Sequence, residues 1–135
     1  MKKLSLLLLT SHFSLFTYVF SQSTAIIGTG TSYNNQYTYP APYGNLYYGA
    51  KHQLLIHASE MTAAGMNAGN ITALAFYVEI PAGIPLMDFT IKIKLSGSTN
   101  TSSNFSFSGF TTVYGPQLFT ETGGWNTHTF STPFA

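Results

Sequence analysis

The stretch Asp88-Phe89-Thr90-Ile91-Lys92-Ile93-Lys94-Leu95-Ser96 alternates polar and apolar side chains over nine positions without a break. Successive side chains of a strand point to opposite faces. The pattern therefore predicts a strand that buries Phe89, Ile91, Ile93 and Leu95 and keeps Asp88, Thr90, Lys92, Lys94 and Ser96 in water. Residues 71–80 repeat the period, with Leu74, Phe76, Val78 and Ile80 on one face and Ala73, Ala75, Tyr77 and Glu79 on the other. Pro81 and Pro85 punctuate the connection between the two. Read as a hairpin, the pair sets Glu79 and Asp88 at facing ends.

Outward from these two strands the chain is short-stranded and turn-rich. Residues 51–58 read as a strand. Ser59 reads as a helix N-cap, with Glu60 in the first turn and Gly65 as the stop of a helix of one to two turns. Beyond the Ser/Thr/Asn loop 97–104, shorter strands are expected at 105–107, 110–114 and 125–131. In the last, Trp125 and Phe130 have opposite parity, so a bulge or a split between faces must separate them. Many short strands and one short helix argue for an all-β fold, an antiparallel β-sandwich of jelly-roll or immunoglobulin-like character. Its interior is expected to be apolar filling with no reaction centre. The chain stops at Pro133-Phe134-Ala135 in what reads as a strand exit, so the 22–135 module is expected to be part of a longer polypeptide.

The first 21 residues are read apart from the fold. Lys2 and Lys3 precede an apolar run broken at Ser11-His12, and Ser21-Gln22 offers a cleavage boundary. This is the pattern of a signal peptide, and it fits better than a membrane anchor, since its apolar run sits at the lower edge of spanning length. Export makes the absence of cysteine informative: no disulfide staples the module, and its apolar core must hold it. No other stretch is long and apolar enough to span a bilayer. With 44% hydrophobic, 16% aromatic and 7% charged residues, the chain of 135 is neither a disordered polar tract nor a phosphate-neutralising nucleic-acid binder. Without the leader, Lys51, Lys92 and Lys94 face Glu60, Glu79, Asp88 and Glu121, and there is no arginine. The balance is near −1, which leaves no basic patch.

Chemistry-bearing motifs are sparse. His52, His57 and His128 are the histidines outside the leader. The first two lie five apart, on opposite faces of a strand, so they do not converge on a metal. Glu79 and Asp88 come nearest to a carboxylate pair for glycoside hydrolysis, but as strand-end residues they read more simply as solvated. Gly28-Thr29-Gly30-Thr31 lacks the lysine and following helix of a phosphate loop and reads as a turn. No nucleophile elbow and no calcium loop occur. Asn70-Ile71-Thr72, Asn100-Thr101-Ser102 and Asn104-Phe105-Ser106 match the glycosylation triplet, which matters only in a host with that machinery. No catalytic residue, metal ligand or cofactor is expected.

The one concentrated feature is aromatic. Six of the nine tyrosines fall within residues 22–50, and Tyr37, Tyr39, Tyr43, Tyr47 and Tyr48 are candidates for a ligand-binding surface. Their rings offer flat apolar faces with a polar handle, suited to sugars or partner surfaces. The alternative, that they pack the core and rim, stays open on sequence grounds.

The order of motifs also carries a resemblance. Ile27-Gly28-Thr29-Gly30-Thr31, Tyr39-Pro40-Ala41-Pro42-Tyr43-Gly44-Asn45, His52-Gln53-Leu54-Leu55-Ile56 and Ser59-Glu60-Met61 are followed by Ala64-Gly65, Gly69-Asn70-Ile71-Thr72-Ala73-Leu74-Ala75-Phe76, Phe89-Thr90-Ile91-Lys92 and Gly124-Trp125-Asn126-Thr127. Together they resemble an N-terminal β-sandwich module of secreted and cell-surface multidomain proteins of Bacteroidetes, over nearly all of residues 25–134. Such chains often continue into fibronectin type III, PKD-like or adhesin repeats and a type IX secretion sorting domain. The resemblance implies a non-catalytic module of a Gram-negative bacterium, exported first by the Sec route and placed outside the cell or on its surface. Its partners would be glycans, cell-surface proteins or downstream domains of its own polypeptide. The family supplies no catalytic residues to carry over. This chain departs from the pattern by stopping at Phe134, before a Trp-Asp-Gly and Asn-rich strand region, and by showing no sorting domain. The alternative is an accessory carbohydrate-binding module of a secreted hydrolase whose catalytic domain lies elsewhere.

Overall fold

A computed structural model describes residues 23–30, 42–44, 49–101 and 105–135. Residues 1–21, read above as a leader, lie outside them. Among the described residues the elements are one helix, α1 (Ala58–Ala63), and four strands: β1 (Ile71–Val78), β2 (Leu86–Ile93), β3 (Thr111–Phe119) and β4 (Gly124–Phe134). No helix among the described residues is long and apolar enough to cross a membrane.

The strands form two small antiparallel sheets, β1 with β4 and β2 with β3. This corrects the hairpin reading of residues 71–96, because β1 and β2 belong to different sheets and Glu79 and Asp88 do not end a shared ladder. The segment between them arches from one sheet to the other. A second arch, between β3 and β4, makes the return crossing. Glu121 of the second arch locks the first, its Oε1 accepting the backbone N–H groups of Ala82 at 2.8 Å and Gly83 at 3.2 Å. Asn126 in turn closes the second arch. Its Oδ1 accepts from the Thr122 N–H at 2.9 Å, and its Nδ2 donates to the carbonyls of Thr122 and Gly124 at 2.7 and 3.0 Å. Both side chains are buried, and these bonds satisfy backbone groups of the two arches and of the first residue of β4.

The ladders also explain where the alternation stops predicting burial. Val78 pairs with Gly124, the first residue of β4, so Ile80 lies past the end of the sheet and is exposed. Likewise Ile93 pairs with Thr111, the first residue of β3, and Leu95 beyond it is 81% exposed. Both residues were expected inside. Phe89, Ile91 and Ile93 do turn away from water relative to Asp88 and Lys92. Within β4 the parity question resolves without a bulge at that point: Asn126, His128 and Phe130 are buried while Trp125 faces outward.

Two expected strands are absent. Residues 51–57 and 105–107 run without a ladder, tied instead by one side chain. The Gln53 amide donates from Nε2 to the Ser106 carbonyl at 2.5 Å and accepts the Ser106 N–H on Oε1 at 3.0 Å, so a side chain stands in for a strand neighbour. Lys94 adds a bond from Nζ to the Ser106 hydroxyl and lies 4.8 Å from the centre of the Phe110 ring.

Helix α1 begins two residues earlier than Ser59 suggests. His57 is the N-cap, and its backbone N–H donates to the Glu60 carboxylate at 2.7 Å. Gly65 stops it as expected, at φ 87°, with Met66 N–H donating to the Met61 carbonyl and Gly65 N–H to the Thr62 carbonyl, both at 3.0 Å.

Candidate functional site

The interior between the sheets is aromatic and holds one imidazole. His128 on β4 has no exposed surface. Around it stand Tyr114 and Phe119 of β3, each with its ring centre at 4.7 Å, Phe89 of β2 at 5.0 Å, Tyr43 at 5.8 Å and Phe76 of β1 at 6.4 Å. The Tyr43 hydroxyl and His128 Nε2 share a hydrogen bond of 2.6 Å, while Nδ1 has no partner among the described residues. Burial holds the imidazole pKa below its ordinary value, favouring the neutral ring. Burial also raises the Tyr43 hydroxyl above the usual phenol range, with Tyr114 and the Glu121 carboxylate adding to the rise.

Apolar filling is thus only part of the interior, which also takes in His128, Asn126 and Glu121. The strand period permits this, since it fixes which face a residue occupies and leaves its chemistry open. Asn126 and His128 share the inward parity of Phe130.

Of the tyrosines read as a candidate ligand surface, Tyr43 is buried, at 7% exposure, and bridges both sheets. It packs the core and offers no contact face. Tyr37, Tyr39, Tyr47 and Tyr48 lie outside the described residues. His52 and His57 stand on the unladdered segment and at the helix cap, away from the His128 cluster in sequence and element. Among the described residues no three His, Cys, Asp or Glu side chains gather as metal ligands.

Exposed aromatic rings among the described residues stand in two places: Phe105 and Phe107, with ring centres 6.4 Å apart on an unladdered segment, and a pair held on the β1–β4 ladder. Tyr77 on β1 pairs directly with Trp125 on β4. Their rings meet edge to face, with centres 5.5 Å apart, and they are 59% and 53% exposed. Cross-strand partners share a face, so Ala73 with Thr129 and Ala75 with Thr127 continue the same outward surface. The face is thus a strip of small residues and hydroxyls ending in two rings. Its signal was present in the sequence: the period of β1 sets Tyr77 on the wet face, and only the ladder adds Trp125 beside it. Comparison of the chain with models of protein families, with curated proteins and with solved structures finds no match.

Proposed function

We propose that this chain is a non-catalytic extracellular module of a secreted or surface-attached bacterial protein, built as an antiparallel β-sandwich and contacting glycans through its outward aromatic pair. The observation that carries the reading is the exposure of Tyr77 and Trp125 side by side on an otherwise small-residue face. Two rings that stay half in water retain flat apolar surface for the C–H face of a sugar, with the indole N–H and phenol O–H left to hydrogen-bond its hydroxyls. A non-catalytic role is supported by the interior. Its one imidazole has no exposed surface and is bonded to Tyr43, whereas a general base must reach a substrate proton. The sandwich assignment rests on two antiparallel sheets joined by arches over a shared aromatic interior. The location rests on reading residues 1–21 as a signal peptide and on the resemblance of the sequence to modules of Bacteroidetes surface proteins.

A glycan array probed with the wild-type chain and with Trp125→Ala tests the proposal. The wild type should bind at least one glycan class. Trp125→Ala should lose about tenfold or more in affinity, the equivalent of ~1.4 kcal/mol, while a cooperative melt at a modestly lowered temperature shows that it still folds. Binding that survives the substitution undiminished would contradict the assignment of the surface.

A further inference from the structure

The outward strip carries more than its two rings. From Trp125 to Thr129 the outward side of β4 runs about 13 Å, at roughly 3.3 Å per residue, and presents Trp125, Thr127 and Thr129 opposite Tyr77, Ala75 and Ala73. None of these six residues is charged. One residue past the end of β1 stands Glu79, exposed and acidic. The cations outside the leader stand on other elements: Lys92 on β2, Lys94 just after it against Ser106 and Phe110, and Lys51 over the Phe107 ring at 5.5 Å.

Resting on the glycan-contact reading above, we propose that this strip binds an uncharged polysaccharide as an extended chain, stacked at Tyr77 and Trp125 and hydrogen-bonded along Thr127 and Thr129. Charge selects the class. A sulfated or uronic-acid polymer brings a row of anions that needs cationic partners. Here it would meet none on the strip and one carboxylate at its end. Shape selects the length. Alanine at 73 and 75 leaves the surface low between the two rings and the Ile71–Phe134 pair at the far end of the ladder, so a short chain can lie along β4 between them, and the threonine hydroxyls can donate to or accept from its hydroxyls. A single ring would use the aromatic end alone. A longer chain gains contacts at each further position, so affinity should rise with oligosaccharide length until the strip is filled.

Affinity electrophoresis of the full chain tests this, in gels cast with neutral polysaccharides (β-glucan, xylan, galactomannan) and, in parallel, acidic ones (polygalacturonate, alginate, chondroitin sulfate). Emission of Trp125, the single tryptophan, provides a titration with neutral oligosaccharides of increasing length. Retardation by at least one neutral polymer and by no acidic one is expected, with affinity rising severalfold from monosaccharide to trisaccharide and levelling off beyond. The Thr127→Val/Thr129→Val double variant, which keeps both rings and suits a strand, should lose much of that length dependence. Retardation by acidic polymers alone, abolished in Trp125→Ala, would overturn the charge assignment while leaving glycan contact standing. Binding independent of length, or unchanged in the double threonine variant, would overturn the extended strip. Failure to bind any polymer would overturn both this inference and the reading beneath it.

Discussion

Replacing Gly115 by alanine should destabilise the protein by about 2–5 kcal/mol, the sum of a left-handed backbone penalty of ~1–2 and an overpacking cost of ~1–3. Gly115 sits in β3 at φ 70°, just before a cis bond to Pro116, where the strand passes over Phe89 of β2. A Cβ added there would run into the Phe89 carbonyl oxygen, with the Phe89 carbonyl carbon at 3.1 Å and the Gln117 nitrogen at 3.2 Å. These neighbours are backbone, so no side-chain rotation relieves the contact. Either the β2–β3 ladder opens beside its register shifts or the chain pays in stability. Gly109 provides the internal control: its φ of 77° carries the same conformational penalty, but nothing lies within 4 Å of the added atom. Urea melts of Gly115→Ala, Gly109→Ala and wild type should rank the midpoints with Gly115→Ala lowest by a clear margin. Equal midpoints for the two variants would contradict the close passage of β3 over Phe89.

The second large effect is on acid stability. Because burial lowers the His128 pKa, the native state holds the ring neutral at pH values where the unfolded chain, with an ordinary pKa near 6.5, already binds a proton. The resulting stability is fully present above about pH 6.5 and is lost as pH falls from there toward the depressed native value, where the loss levels off. Each pH unit in that window removes about 1.4 kcal/mol. The titratable groups facing the ring are Tyr43, from its loop, and Tyr114, from β3. The Tyr43 phenol, its pKa raised, stays neutral throughout the window, and no carboxylate is bonded to His128 to hold a proton on it. Stability measured by urea at stepped pH should therefore decline below about 6.5 in the wild type. His128→Leu, which fills the site with an apolar side chain, should flatten that part of the curve. A wild-type curve flat between pH 7 and 5 would mean that the imidazole is not sealed.

How far the sequence leads depends on whether a property is local. Alternation at residues 71–78 and 88–93 is local, and it correctly sets Leu74, Phe76, Val78, Phe89 and Ile93 toward the interior and Tyr77 and Lys92 toward water. The stop at Gly65 is local too. Partnering is not. Nothing in residues 79–85 distinguishes a hairpin from an arch, because the deciding contact comes from Glu121, some forty positions on. The burial of Leu95 and Ile80 fails for the same reason: the end of each ladder is set by where a distant partner begins. His128 shows the limit on chemistry. Its inward parity follows from Phe130, yet its tolerance inside depends on the Tyr43 hydroxyl, 85 positions away. The candidate surface divides likewise, with Tyr77 legible from its own strand and Trp125 placed beside it only by the β1–β4 register.

Assigning the ligand contact to the outer face of β1 and β4, with the His128 interior uninvolved, can be tested in one experiment: chemical-shift mapping of the labelled chain with a neutral oligosaccharide. Perturbations should cluster at the Trp125 indole N–H, Tyr77, Thr127 and Thr129, while the His128 ring signals stay in place. Shifts centred on His128 and Tyr43, with the Trp125 indole unmoved, would contradict the account.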